Sequence, residues 1–283
     1  MTSRLRVQHV SRYSYQHPIN ASFNEARLTP MATRWQQPLD TFVQVPEATW
    51  QYQYVDYWGT RVRVFEAQRP HLQLVVHASS VVELDATQLP APDRGLSWES
   101  LRSAATRERF GELLRQSPAT APEPALAALA ASIAAENDPH QTALAICTRI
   151  HQEMDYLPGS TGVHTAAREA WLARSGVCQD YAHVVIGALR HVGLPARYVS
   201  GYLHPNPDAA IGETSTGQSH AWVEWWLTDW VGHDPTNDSP LGEHHVLVGR
   251  GRDYADVPPI KGIVAGISAA AELEVSVEVT RLA

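Results

Sequence analysis

The sequence predicts an α+β protein. A mostly antiparallel β N-terminal domain over residues 1–95 precedes a second region, 96–283, of helices packed on an antiparallel sheet and closed by C-terminal strands. Three observations carry this reading. Apolar and polar residues alternate with period two through the opening strands. After the Pro-rich "QLPAPDRG" at 88–95, the composition shifts to helix formers. Beyond the last helix the alternation returns and runs to the C-terminus. A chain of 283 residues has ample core for one large domain or two ordinary ones.

The elements follow in chain order. "RLRVQHVSRYSY" alternates Leu5 and Val7, then Tyr13 and Tyr15. "ATWQYQYVDYWGTRVRVFEA" sets Trp50, Tyr52 and Tyr54 on one face, turns near 57–60 and returns with Val62 and Val64. "HLQLVVHASSVVEL" keeps the period of two. "SWESLRSAATRERFGELLRQ" opens with Ser97, has Glu99 nearby and reads as one helix. "SPATAPEP" at 117–124 breaks it, and "ALAALAASIAAEN" and "HQTALAICTRIHQEM" read as two more. Leu144, Cys147 and Ile150 or His151 recur at three and four, which makes Cys147 a buried structural thiol. "AAREAWLAR" is a short helix. Beyond Cys178, the apolar positions Ala182, Val185, Ile186, Leu189 and Val192 mark a longer helix, stopped by Gly193 and Pro195. "ARYVSGYL", "SHAWVEWWL" and "WVGHDPT" are strands. "ELEVSVEVTRL" places Leu273, Val275, Val277 and Val279 on one face.

Bulk properties exclude several classes. The net charge is −8 with no basic stripe, so nucleic acid is not an expected partner. No apolar run approaches the roughly 18 residues of a membrane helix. The opening residues lack the apolar core of a secretory signal, which argues for the cytoplasm. Two cysteines are too few for a disulfide framework, and both are expected as reduced thiols. Fourteen histidines occur without HExxH or paired CxxC, so no metal or cofactor is expected. "EHH" at 243–245 reads as a polar surface turn. Nine tryptophans and ten tyrosines suggest amphipathic rings lining strands or a groove.

Chemistry concentrates on "SGVCQDYAHVV". A helix that begins at Cys178 surrounds the thiol with free backbone N–H groups, and the helix dipole favours thiolate there. The same N–H groups can serve as oxyanion donors, that of Cys178 first. Gly176 lets the preceding loop approach closely. Without a base, such a cysteine reads as a small residue filling a helix–sheet seam. His220 begins an aromatic strand and shares a face with Trp222, Glu224 and Trp226, where Trp222 can shield it from water. Asp234 ends a strand at "DPT", where it can both close an Asx-turn and orient an imidazole. For His220 and Asp234 to share a face, the loop between their strands must be odd in length. A three-residue loop would set Asp234 opposite Glu224, roughly 13 Å along the strand from His220. The expectation is therefore a loop near five residues or a β-bulge. A plain two-residue hairpin would exclude Asp234. Asp180, in the first helical turn, reads as a dipole partner, and His183 as structural. "GRDYADVPP", with Arg252, Asp253, Tyr254 and Asp256, either lines a cleft or locks the C-terminal strands to the core.

"GVCQDYAHVVIGALRHVGLPARYVSGYL", "SHAWVEWWL" and "HDPTN" together resemble the three blocks of the transglutaminase-like superfamily. More narrowly, the chain is similar to bacterial transglutaminase-like proteins regarded as candidate cysteine proteases. "EARLTPM", "QVP" and the hairpins at 50–85 resemble their β-rich N-terminal region, "YLPGSTGVHTAAREA" the approach to the cysteine, and "VGRGRDYADVPPIKGI" a block after the acid. The resemblance spans nearly the whole chain. It implies a papain-like core with Cys178 as nucleophile, His220 as base and Asp234 as orienting acid. Animal transglutaminases carry an oxyanion-supporting tryptophan well upstream of the cysteine. Trp171 stands only seven residues before Cys178 and is not carried over to that role. Tyr156 and Gln179 are candidates for a second oxyanion donor, and Trp222 for the cleft. The implied reaction is acyl transfer through a thioester on a peptide or protein substrate. Water as acceptor gives a protease or amidase, and an amine gives a transamidase. Hydrolysis is favoured because no dedicated lysine-docking site is visible. A binding module that has lost turnover is the third reading.

Overall fold

A computed structural model describes residues 2–92, 96–217, 219–266 and 271–283. Residues 93–95, the end of the Pro-rich boundary stretch, and Gln218, beside the His220 block, lie outside the described residues. Six strands come first: β1 (Thr2–Ile19), β2 (Ala21–Ala26), β3 (Gln36–Gln44), β4 (Trp50–Val55), β5 (Arg61–Ala67) and β6 (His71–Asp85). Helices α1 (Trp98–Leu101), α2 (Ala104–Leu114), α3 (Pro124–Glu136) and α4 (Pro139–Glu153) follow. Next come β7 (Asp155–Tyr156), α5 (Ala167–Ala173), β8 (Ser175–Gly176) and α6 (Cys178–His191). The remaining strands are β9 (Ala196–Leu203), β10 (Thr214–Gly217), β11 (His220–Trp226), β12 (Trp230–Asp234), β13 (Ser239–Pro240), β14 (His245–Gly251), β15 (Ile260–Ala265) and β16 (Ala271–Arg281).

The helix expected over "SWESLRSAATRERFGELLRQ" is two helices. Ser97 accepts from the Ser100 N–H to cap α1, and Ser103 accepts from the Thr106 N–H to cap α2. A serine hydroxyl offers the backbone an alternative to continuous helix, and here that alternative wins. α3 and α4 each start on a proline behind an acidic cap, Glu123 and Asp138. The hairpin of β4 and β5 pairs Trp50 with Glu66 through Val55 with Arg61, as the alternation predicts.

The strands of the second region form a sheet in the order β13-β12-β11-β9-β14. The opening strands form two others, β10-β16-β1-β6-β3 and β15-β2-β5-β4. These orders depart from the division at residue 95 that assigned the C-terminal strands to the second region. β16 pairs with β1 from Leu5↔Arg281 to Tyr15↔Ala271, and β15 pairs with β2. The chain end therefore completes the N-terminal sheets. The physical reason is the long β1, whose second edge would otherwise present a row of unpaired N–H and C=O groups. The two regions also share one core: Leu5, Val7, Trp35 and Val279 pack in a cluster with Trp222 and Leu247. The Gln36 amide adds a bridge, donating to the Leu247 carbonyl and accepting from its N–H.

α6 is the central element. A single apolar stripe understates it, because every residue from Gln179 to Arg190 is buried. Strands β9 and β11 lie on one side and helices α3 to α5 on others. Val184, Val185, Ile186 and Leu189 are fully buried, each contributing about 1.5–3 kcal/mol of burial. Most buried polar groups of α6 have partners, although Asp180 Oδ1 and His183 Nδ1 have none among the described residues. The Arg190 guanidinium donates to the carbonyls of Ala196, Arg115 and Arg252. His183 Nε2 accepts the Tyr254 N–H at 3.1 Å, and burial lowers its pKa to about 4. Gly193, at φ +90°, takes the left-handed conformation that lets the chain leave the helix.

Candidate active site

The start of α6 is built by its neighbours. The Asp180 carboxylate Oδ2 accepts from the Val177 N–H at 2.8 Å and from Thr161 Oγ1 at 2.6 Å. Burial raises the Asp180 pKa, against these hydrogen bonds. Gly176 must be glycine for this approach, since a Cβ there would stand 2.6 Å from Asp180 Cβ. The parallel pair β7–β8 fixes the same loop, with the Leu157 N–H on the Gly176 carbonyl at 2.9 Å. Cys178 is thus the first residue of α6 and is half-buried. The Asp180 and Tyr181 N–H groups bond the Val177 carbonyl. Those of Cys178 and Gln179 stand in the first turn, where the helix itself offers no acceptor. Cys147 is fully buried in α4, and its thiol pKa is raised well above its ordinary value by burial and then by the charges of Asp238 and Asp234.

β11 and β12 are joined by three residues, Leu227, Thr228 and Asp229, with Trp226 paired to Trp230 and Val223 to His233. One step further, Asp234 stands across from Trp222 rather than Glu224. The expected five-residue loop or bulge is not there. The loop opens one residue earlier, at Leu227, which moves the register by two and halves the offset from His220. The parity requirement holds, so His220, Trp222 and Asp234 share a face. Side chains span the rest: His220 Nε2 lies 2.7 Å from Asp234 Oδ2.

Asp234 is fully buried and accepts from donors on both oxygens. The Thr236 and Asn237 N–H groups reach Oδ1 at 3.0 and 3.3 Å, closing the expected Asx-turn. His220, the Asn237 side chain at 2.7 Å and His245 at 3.4 Å converge on Oδ2. Burial alone would raise the Asp234 pKa, but His220 and His245 hold it well below the ordinary carboxylate range. For His220, burial alone would lower the pKa. Its hydrogen bonds to Asp234 and Cys178, with their charges, push it up to about 10. With Nε2 committed to Asp234, Nδ1 is the ring nitrogen left for the thiol.

His245 corrects the reading of "EHH" as a surface turn. It is fully buried at the start of β14, where burial lowers its pKa. The Gly242 N–H donates to its Nδ1 at 3.3 Å, which leaves the Nε2 proton facing Asp234. The available signal was the apolar "VLVG" that follows, since the first residue of a covered strand can face inward.

A cleft of about 730 Å³ opens over Cys178 and His220. Tyr156 and Gln179 both line it. Tyr156 is exposed at its mouth, with its pKa raised by burial and then by the charges of Cys178 and Asp234. The Gln179 side chain donates to the Val163 carbonyl at 3.3 Å and holds the 158–163 loop. Trp222 does not line the cleft. It is fully buried behind the site, edge-on to His245 at 5.4 Å and tilted against His220 at 6.3 Å, where it excludes water. Trp171 lies in the core of the second region under the Arg174 guanidinium. Of the two readings of the "GRDYADVPP" block, cleft lining holds for Tyr254, while Arg252 and Asp256 pair within the loop itself. Among the described residues, no group of three or more His, Cys, Asp or Glu is arranged to hold a metal, and no helix is long and apolar enough to cross a membrane.

Comparisons with known proteins agree with this architecture. Residues 127–235 match the transglutaminase-like superfamily, and residues 5–83 match the bacterial transglutaminase-like N-terminal region. The uncharacterized protein ML0607 of Mycobacterium leprae (strain TN) is 44% identical over 280 residues, covering 99% of each chain. The uncharacterized protein Rv2569c of Mycobacterium tuberculosis (strain H37Rv) is 33% identical over 98% of this chain and 93% of its own. A protein-glutamine gamma-glutamyltransferase of Pseudomonas aeruginosa is 34% identical over 110 residues, 36% of this chain and 16% of its own. The crystal structure of a candidate cysteine protease from Cytophaga hutchinsonii has the same fold, with a TM-score of 0.77 at 21% identity, covering 100% of this chain and 92% of that one. The chain belongs to the transglutaminase-like superfamily, among members that carry the bacterial transglutaminase-like N-terminal region.

Proposed function

We propose that this protein cleaves amide bonds by acyl transfer through a thioester on Cys178, with water as the final acceptor. One observation carries the proposal: His220 sits between the thiol at the start of α6 and the buried Asp234 carboxylate, 2.7 Å from the latter. Asp234 holds the Nε2 side of the ring, so Nδ1 takes the proton from Cys178. The sulfur attacks the carbonyl carbon of a peptide or protein substrate. The C–N bond then breaks as Nδ1–H delivers its proton to the departing amine. A water gives its proton to Nδ1 and attacks the thioester, and the proton returns to sulfur as the acid leaves. The Cys178 N–H is one donor to the oxyanion. Tyr156 is favoured over Gln179 as a side-chain donor, because the Gln179 amide is already directed at Val163.

The similarity to the Pseudomonas aeruginosa gamma-glutamyltransferase favours a second reading, in which an amine replaces water. Incubation of wild type and Cys178→Ala with a glutamine-containing peptide, with and without a primary amine, separates the two. Free acid formed by wild type alone, little affected by the amine, is the expected result. Amine adduct as the main product would replace hydrolysis by transamidation. Equal product from both proteins would overturn the proposal.

A further inference from the structure

One wall of the cleft over Cys178 is built by β1 and β16. β16 and β1 pair so that Val279 faces Val7, Val277 faces His9, Val275 faces Ser11 and Leu273 faces Tyr13. With a side-chain period of two, these four pairs lie on one face of the sheet. Half of that face is core: Val277 and Val279 are 1% and 3% exposed. The other half is bare, with Val275 at 36% and Leu273 at 49%, and it lines the cleft that holds Cys178 and His220. A core-forming pattern that continues past its packed partner leaves a patch ready to be covered.

We infer that Tyr13, Leu273 and Val275 form the recognition wall for an extended peptide whose side chains beside the reacting amide are uncharged and apolar. This rests on the acyl-transfer reading of Cys178 and adds the class of substrate. Charge complementarity supports it: among the described residues lining the cleft there is no Asp, Glu, Lys or Arg. His9, on the same face, is buried between Tyr202 Oη at 3.0 Å and Ser11 Oγ at 2.8 Å. Burial lowers its pKa to about 4, so it carries no charge at neutral pH. A charged side chain against this wall would lose water and gain no partner. The extended shape of the ligand follows from β10. That strand ends its sheet at the edge, lines the same cleft through 215–217, and lies three residues before His220. An edge strand offers free N–H and C=O groups to an added strand.

The test is binding to the Cys178→Ala variant, which does not depend on turnover. A fluorescently labelled, blocked pentapeptide of Val and Leu around a central Gln is compared with versions carrying Lys or Glu in place of one Leu. The apolar peptide is expected to bind at least tenfold more tightly than either charged version. Adding Val275→Glu, or separately Leu273→Glu, is expected to weaken the apolar peptide and favour the Lys version; both positions are exposed enough to accept the change. Equal Kd for all three peptides, or an unchanged order in both variants, would overturn the inference. Failure of the acyl-transfer reading shows separately, as wild type that binds the apolar peptide without converting it.

Discussion

Replacement of Asp234 by asparagine tests the wiring of the site. Five hydrogen bonds end on this carboxylate, two on Oδ1 and three on Oδ2, and all five partners are donors. An asparagine offers one oxygen and one NH₂ group. Whichever way it turns, the NH₂ faces at least two donors. Each buried donor left without an acceptor costs about 1–3 kcal/mol, so the variant should lose on the order of 2–6 kcal/mol. Thermal unfolding should drop by on the order of 10 °C. The chemical effect is distinct from this loss. Without the carboxylate, the support that pushes the His220 pKa up to about 10 falls away, and the imidazolium becomes easier to deprotonate. Turnover should fall about 10³–10⁴-fold, by the logic of an unoriented catalytic histidine. The assay is the pH profile of Cys178 alkylation by iodoacetamide, measured below the unfolding temperature of the variant. Removing the carboxylate should move the limb assigned to His220 to lower pH. A variant with Tm within a degree of wild type and an unmoved pH profile would refute the reasoning.

Further predictions follow from the same contacts. Gly176→Ala drives a Cβ to 2.6 Å from Asp180 Cβ and should cost about 1–3 kcal/mol, with slower Cys178 alkylation as the helix start shifts; thermal melts and labelling rates check both. His220 has a raised pKa, so the stability it adds is complete below its unfolded value of about 6.5 and is lost as pH rises through about 10. The advantage of wild type over His220→Gln in urea unfolding should therefore shrink across that window. Glu224 binds the guanidinium groups of Arg197 and Arg250 in the buried sheet. Glu224→Ala leaves both unpaired and should cost about 3–5 kcal/mol by denaturant unfolding.

Much of the site was legible because its signals are local. A cap-like start, helical spacing and a glycine stop place Cys178 at a helix N-terminus without tertiary information. The strand alternation fixes the face of His220, and parity alone ties Asp234 to it. The loop length escaped because one residue of freedom at Leu227 moves the register by two, and no turn residue there enforces the choice. His245 escaped because the groups that enclose it, Trp222 and Asp234, come from other strands, a contact between segments apart in sequence. The placement of β16 escaped for the same reason. Its alternation predicts a strand and a face, but the partner is set by the free edge of β1, more than 250 residues earlier. The buried polar residues of α6 were hidden because burial on all sides is set by neighbours, while its own apolar stripe describes only one.

The central claim is that Cys178 is an activated nucleophile and Cys147 a buried structural thiol. Limited iodoacetamide at mildly acidic pH, followed by peptide mapping of the folded protein, tests it most directly. The account predicts fast, selective alkylation of Cys178, abolished in His220→Gln, with Cys147 unlabelled until the protein unfolds. Equal slow labelling of the two cysteines, or a Cys178 rate unchanged in His220→Gln, would contradict it.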